Sequence, residues 1–524
     1  MTDSSSIFRI IIVFAIVIFG SWLGTGMVTD QIVTIIWVVG LISFSICLFL
    51  GSRIYLIIPL LTSSALVLPL PGLFSSGFIA QLAFLAFITP IFLLRRIPMK
   101  FKFTELEFWM LILFASVAQA YARNPVGLDI FGSATVGAKP YAVFTIATLC
   151  AVMLSTLVIN PKDLKLWTYL SMAGSFTNFI LGSIAYMIPS FGYYFGATFA
   201  ADVGGRERSF ETAYRVAFVR SLSQHIAIWI SSRISPLAAC FKSKWLPLVL
   251  FSLALAAMSG YRAQLLLVGM TFFVGVCYRG GVPSILASSM LGFIGLLMLI
   301  LINMAIPLPL NIQRTLTILP GTWDQAVMDE SEQSSDWRVE MWIEALTTDK
   351  WIRNKILGDG LGFTKDEYNR MLNYNTIEKA NAKSNIGMTE QQESFLINGN
   401  YHSGPVHTIR TSGYVGLAIL LIAMFRLAVH AHRQIKRCRG TEWYATALFL
   451  GIPLIVTPIF WVSVIGTFEE AAVGFMMGIA IIRLLEKNLP LPPYVKQRPT
   501  PVGLSFQKRQ DSNGMPRIPN QSYT

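Results

Sequence analysis

Apolar runs of about 16 to 24 residues recur along nearly the whole 524-residue chain, separated by short polar connectors. Each is long enough to cross a hydrocarbon slab roughly 30 Å thick at about 1.5 Å of rise per residue. Runs such as "FRIIIVFAIVIFG" do not alternate oily and polar positions, so helices are predicted rather than the roughly 10-residue alternating strands of a membrane barrel. Working back from the basic C-terminal tail, spans fall at 7–23, 31–50, 54–72, 77–94, 105–121, 140–159, 165–187, 215–239, 245–260, 263–278, 282–306, 413–430, 443–463 and 469–485. The pairs at 54–94 and 245–278 also fit re-entrant hairpins. The expected fold is an all-α polytopic transmembrane helix bundle of about 12–14 spans with one large extramembrane loop containing short helices.

That loop, residues 307–412, has no spanning run and carries Asp324, Asp329, Glu330, Glu332, Asp336 and Glu340 among scattered bases. In "SSDWRVEMWIEALTT", Val339, Trp342, Ile343 and Leu346 recur at helical spacing behind Ser335 as an N-cap, which predicts a short helix near 336–347. Trp323, Trp337, Trp342 and Trp351 suit a water–lipid boundary. "ILGDGLGF" holds Gly358, Gly360 and Gly362 in a G-x-G-x-G spacing without βαβ context, which reads as a tight turn before it reads as a phosphate cradle. Residues 371–400 are polar and asparagine-rich, the composition of a flexible insertion, and the basic, proline-punctuated tail after 486 is expected to be disordered.

Composition agrees with the pattern. The chain is 54% hydrophobic and 13% charged, with mean hydropathy +0.58, whereas soluble domains are about 25% charged. A net charge of +13 first suggests nucleic acid, but the charges sort by side of the membrane. One side receives Arg53, Arg95, Arg96, Lys100, Lys102, Lys162, Lys165, Lys242, Lys244, Arg279 and the cluster Arg433, Lys436, Arg437 and Arg439. The short connectors opposite hold Arg123, Lys139, Arg206, Arg208 and Arg262. The positive-inside rule then puts both termini in the cytoplasm, and the excess charge reflects topology rather than a nucleic-acid partner. The first run lacks a strongly basic flank and leads straight into the second, so it reads as an anchor rather than a cleaved signal. Cys47, Cys150, Cys240, Cys277 and Cys438 show no paired spacing, which indicates neither a disulfide framework nor a zinc site.

Ionisable groups at membrane depth cost about 2.5 to 3.5 kcal/mol on insertion scales and are functional candidates for that reason. Arg262 lies at the outer tip of the hairpin "MSGYRAQ", where the alternative is snorkelling to headgroups. Arg215 and Arg220 lie near the outer face, while Arg233 snorkels inward and His225 sits between it and Arg220. Arg338 is four residues before Trp342 on one helix face, where the ring can stack on a guanidinium or a sugar; the alternative is a solvated surface arginine. His402 and His407 in "NGNYHSGPVHTIRTSG" lie just outside the span at 413, where a histidine exchanges protons near neutral pH or serves as a structural loop residue.

Three of these stretches, in order, resemble elements of the O-antigen ligase and polymerase superfamily, multi-span bacterial enzymes that move glycans from undecaprenyl pyrophosphate on the periplasmic side. "SGYRAQ" (259–264) resembles the family's Ser-Arg element, and "DWRVEMWIEALTTDKWIRNKILGDGLGF" (336–363) the element with an arginine, a tryptophan and a following glycine-rich turn. "YHSGPVHTIRTSGYVGLAIL" (401–420) is similar to the stretch where a histidine precedes a Gly-x-x-Gly pair, here Gly413 and Gly416, which selects His402 over His407. The chain departs from the family at Ser403, Thr411, Tyr261 and Ala263. The resemblance implies N-terminal spans over 1–244, a ligase-like core over 245–430 that includes the periplasmic loop 307–412, C-terminal spans over 431–485 and a cytoplasmic tail over 486–524.

By the same resemblance the protein is an inner-membrane, metal-independent inverting glycosyltransferase that needs no cofactor. Its donor would be an undecaprenyl-pyrophosphate-linked glycan and its acceptor a glycan or lipid A-core, with polysaccharide export or chain-length proteins as further partners. His402 would activate the acceptor hydroxyl, and Arg262, Arg338 and Arg215 would hold the diphosphate, assisted by Arg220, Arg410, His407 and Trp342. Fixed guanidiniums and an imidazole suit a pyrophosphate leaving group and a hydroxyl nucleophile. The polar insertion favours a polymerase, as a path for a long glycan. The alternative is a lipid-linked oligosaccharide flippase, which would place intramembrane charges along a central path and make no demand on His402.

Overall fold

A computed structural model describes residues 45, 49–68, 74–94, 100–128, 136–188, 208–209, 213–214, 216–317, 319–380 and 395–489. The protein is an all-α polytopic bundle, and from 77–94 onward every predicted run is met by a helix. The order is α1 (Ile57–Ser64), α2 (Ser76–Leu93), α3 (Glu105–Arg123), α4 (Lys139–Thr156), α5 (Pro161–Met187), α6 (Val219–Arg233), α7 (Pro236–Cys240), α8 (Leu246–Met258), α9 (Arg262–Arg279) and α10 (Gly281–Ala305). There follow α11 (Leu310–Leu316), α12 (Gln325–Thr347), α13 (Lys365–Ala380), α14 (Gly404–Cys438), α15 (Tyr444–Ser463) and α16 (Phe468–Asn488). Among the described residues five helices are long and apolar enough to cross a membrane: α2, α4, α10, α14 and α15. The predicted run at 7–23 and most of that at 31–50 lie outside the described residues.

Local chemistry sets the helix starts. Thr104 and Glu107 form a reciprocal capping box at α3, Asn160 with Pro161 opens α5, and Thr467 accepts the Glu470 N–H at the start of α16. The run 54–72 does not form one span. Helix α1 ends at Ala65, whose φ is 50°, and the chain turns into a two-stranded hairpin that pairs Val67–Leu68 with Phe74–Ser75. The main core joins α2 to α5 with α14, α15 and α16 through fully buried side chains such as Phe84, Leu106, Phe144, Leu420 and Phe475. By contrast, no residue in the apolar window of α10 is buried, so its whole circumference suits lipid.

Polar contacts tie the connectors into two ends. At one end Arg53 meets Asp163 at 3.6 Å, Lys165 meets Glu442 at 2.6 Å, Lys487 donates to the carbonyls of Lys100 and Ser155, and Arg279 donates to those of Ser231 and Ser232. At the opposite end Arg123 and Asn124 bond the carbonyls of Leu357, Gly358 and Asp359. The most buried ion pair lies at the first end. Arg483 grips Glu107 through Nε to Oε1 at 2.7 Å and Nη2 to Oε2 at 2.8 Å, with both side chains 3% exposed, and also donates to Thr104 and Glu486. Removing one partner leaves a charge in an apolar interior, so Arg483→Met is expected to destabilise the protein by about 3–5 kcal/mol in unfolding titrations of the detergent-solubilised chain.

Candidate functional site

The segment 307–412 has its own core of Met341, Ala345, Trp351, Ile352, Phe363, Leu396, Tyr401 and Ile409, a compact layer laid on the end of the spans that bears Arg262. Its helix α12 is longer than the sequence predicts. It begins at Gln325 rather than near 336, capped by Asp324, which accepts from the Ala326 N–H, and Ser335 lies inside it. Burial of Val327 and Ser331 on the inward face explains the extra turns, because those contacts come from distant chain. Likewise 371–380, read as flexible, belongs to α13, while 381–394 lies outside the described residues.

Helix α14 also starts earlier than the predicted span at 413. Ser403 caps it, Pro405 sits in its first turn, and its first stretch runs Gly404–Ser412 before a break at Gly413 with φ 73° and ψ −177°. That region of backbone space is essentially restricted to glycine. The break frees donors and acceptors for the glycine-rich loop. Asp359 N donates to the Arg410 carbonyl at 2.6 Å, Gly360 N to that of Thr411 at 3.0 Å, Tyr414 N to that of Lys355 at 2.8 Å, and Val415 N to that of Ile356 at 3.2 Å. Gly358 N bonds the Asn354 carbonyl and Leu361 N the Tyr141 hydroxyl, so the N–H groups of 358–361 are all occupied within the protein. "ILGDGLGF" is therefore a docking turn and offers no nest of free donors.

Arg410, 3% exposed, holds the same turn from beneath. Its Nη1 donates to the Gly360 carbonyl at 3.1 Å, its Nη2 to that of Gly362 at 3.3 Å, and its guanidinium lies 3.8 Å from the Phe363 ring centroid. His407 is also buried. Its Nδ1 accepts the Phe468 N–H at 3.1 Å and lies 3.6 Å from Glu469, which ties α14 to α16. With Nδ1 accepting, the neutral ring carries its proton on Nε2.

His402 occupies a different setting. It is half-buried with φ 47°, and its ring stands edge-on to Phe395 at 4.4 Å and to Trp337 at 5.8 Å. Arg338 places its guanidinium 5.4 Å from the same Trp337 ring, so both predicted residues flank one indole. Trp342 completes the link, its Nε1 donating to the Tyr401 carbonyl at 2.6 Å. At the other end of α12, Ser331 accepts from Arg262, whose Nε also reaches the Arg314 carbonyl at 3.2 Å. Ser331 to Trp342 spans about 16 Å of helix at 1.5 Å per residue, so one rigid element touches the surroundings of Arg262, Arg338 and His402.

Arg220 joins from α6 with its guanidinium 4.7 Å from the ring of Tyr261, the residue preceding Arg262, and Glu470 is an acidic neighbour. Arg215 lies outside the described residues. Sequence reasoning missed Arg314, 6% exposed with Nη1 on the Gly260 carbonyl at 2.5 Å, and Phe395, the second wall beside His402. An arginine in "LNIQRTLTI" just after a span was the available signal for the first, and none marked the second. Among the described residues no group of three or more His, Cys, Asp or Glu could hold a metal ion.

Tyr401 is fully buried, its hydroxyl has no hydrogen-bond partner among the described residues, and burial pushes its phenol well above the ordinary range. Since an unsatisfied buried hydroxyl costs about 1–3 kcal/mol, Tyr401→Phe is expected to leave thermal stability unchanged or to raise it slightly, as read by a melting curve in detergent. Gly413→Ala is expected to cost at least the roughly 1–3 kcal/mol of strained backbone, because its Cβ would also overlap the Ile356 carbonyl; the same curve measures it.

Residues 247–421, about a third of the chain, match the family model described as O-antigen ligase. A comparison with curated proteins finds no match. The matched interval opens within α8, contains Arg262, Arg338 and His402, and closes in α14 beyond the Gly413 break. Residues 247–421 of this multi-pass membrane chain are thus similar to the O-antigen ligase family.

Proposed function

We propose that the protein is a glycosyltransferase of the bacterial inner membrane that polymerises an undecaprenyl-pyrophosphate-linked oligosaccharide at the periplasmic face, with both termini in the cytoplasm. The carrying observation is the single helix α12, which sets Arg338 and His402 around Trp337 and reaches Arg262 through Ser331. On this reading the acceptor hydroxyl attacks the anomeric carbon from the face opposite the diphosphate and forms the new glycosidic bond. The anomeric C–O bond to phosphate breaks, its electron pair leaves with undecaprenyl pyrophosphate, and the hydroxyl proton passes to the His402 imidazole. Arg262 and Arg338 meet the charge that develops on the departing diphosphate, with Arg220 near Arg262 and Arg215 as a further phosphate ligand. Guanidinium suits this task because it stays charged and offers paired N–H donors to phosphate oxygens.

The inner and outer residues take different parts. Arg410 and His407, both buried and bonded to backbone, act by holding the glycine turn and the α14–α16 contact in place. Trp342 fixes the carbonyl that precedes His402 and so sets the approach of the imidazole. Neither a metal nor a cofactor enters this scheme.

The test is complementation of a deletion strain, with surface glycan length read on a gel and protein level in the membrane measured alongside. His402→Ala is expected to lower transfer by about 10²–10⁴-fold at normal protein level, the range for a lost general base. Glycan of normal length in that variant overturns the assignment of His402. A null phenotype without accumulation of periplasmic lipid-linked repeats points instead to a flippase.

A further inference from the structure

At the end opposite His402, a cleft of about 350 Å³ opens between the C-terminal turns of α9, the later part of α14 and the start of α15. Helix α9 runs from Arg262 to Arg279, so the cleft lies about 25 Å from the candidate site, one helix length away. Its walls change character with depth. Val274 and Ile455 line the part deeper in the spans, both half-buried, while Lys436 and Arg439 stand exposed at the mouth.

The polar wall is built rather than incidental. Tyr278 donates from Oη to His432 Nδ1 or accepts from it at 2.6 Å, Tyr444 Oη donates to the Tyr278 carbonyl at 2.8 Å, and Arg279 lies 5.0 Å from the Tyr444 ring. These contacts hold the aromatic rings in fixed positions at the boundary where Tyr and Trp collect. No acidic residue lines the cleft, and neither Lys436 nor Arg439 makes an ion pair with a carboxylate among the described residues. Two exposed cations over an apolar floor, at the level where the helices end, match a molecule with an anionic head and a hydrocarbon tail.

We propose that this cleft binds the phosphate headgroup of an anionic phospholipid, with an acyl chain laid against Val274 and Ile455. The cations recognise the phosphodiester, and the apolar wall distinguishes a lipid from a soluble phosphate. Occupancy would fasten α9, α14 and α15 together at the end remote from the transfer chemistry.

The experiment uses the full-length chain in nanodiscs of mixed phosphatidylglycerol and phosphatidylcholine, with co-purifying lipid quantified by mass spectrometry after detergent extraction. Wild-type protein is expected to retain phosphatidylglycerol preferentially. Each cation near a lipid surface contributes roughly fivefold, so Lys436→Gln with Arg439→Gln is expected to lower that preference by about 30-fold. A second variant, Ile455→Trp, fills the apolar wall, keeps both cations and is expected to release phosphatidylglycerol as well; it also decides the question if the double variant fails to fold. Retention without preference in the wild type, or unchanged preference in both variants, overturns the proposal. Displacement of the lipid by millimolar inorganic phosphate overturns the lipid reading in favour of a soluble phosphate.

Discussion

The whole extramembrane layer hangs on an exchange of main-chain hydrogen bonds between residues 355–360 and 410–415. Helices normally keep such groups for themselves, and only the break at Gly413 releases them. Four bonds then run across the junction in both directions, and Arg410 adds two more from its side chain. Gly360, Arg410 and Thr411 are buried, so losing the bonds they make leaves a donor or acceptor with little water to replace it. The loop core of Met341, Trp351, Phe363 and Tyr401 is thereby referred to the frame of the spans rather than left to drift on a tether.

Rigidity at that junction matters for α12, which carries Arg338 and touches Arg262 and His402. A helix is a good ruler: its 1.5 Å rise fixes the separation between the Arg262 contact at Ser331 and the His402 contact at Trp337. Aromatic rings wall the His402 side chain, with Trp337 and Phe395 meeting the imidazole at 89° and 87°. His407, by contrast, sits deeper, with its Nδ1 taken by the Phe468 N–H. The two histidines five residues apart are thus given opposite surroundings by the same stretch of chain.

The span pattern was legible because apolar length alone decides whether a helix fits a bilayer. The order of Arg262, Arg338 and His402 was legible as motif, whereas their shared contact with α12 depends on the fold. Other features depend on partners far along the chain. Helix α12 begins eleven residues before the predicted start because Asp324 caps it and Val327 and Ser331 find burial, none of which shows as periodicity in "QAVMDESEQSSD". Arg410 reads as a diphosphate ligand beside a histidine, yet its neighbours are carbonyls some fifty positions earlier. The Gly413 break was invisible for the same reason: a glycine at a span boundary looks like a mild helix penalty until the Ile356 carbonyl is seen pressed against it. Arg483 and Glu107, 376 positions apart, sit in helices that hydropathy treats as plain spans.

The left-handed backbone of His402 carries an evolutionary corollary. A residue with φ near 47° is tolerated best as glycine or asparagine and resisted most by valine, isoleucine and threonine. Torsion therefore filters position 402 in any drifting lineage, and histidine is one of the few side-chain-bearing residues, with asparagine and aspartate, that pass. Asparagine satisfies the same torsion without an imidazole, so under the proposed chemistry its appearance at 402 in a descendant would separate loss of the reaction from loss of the fold.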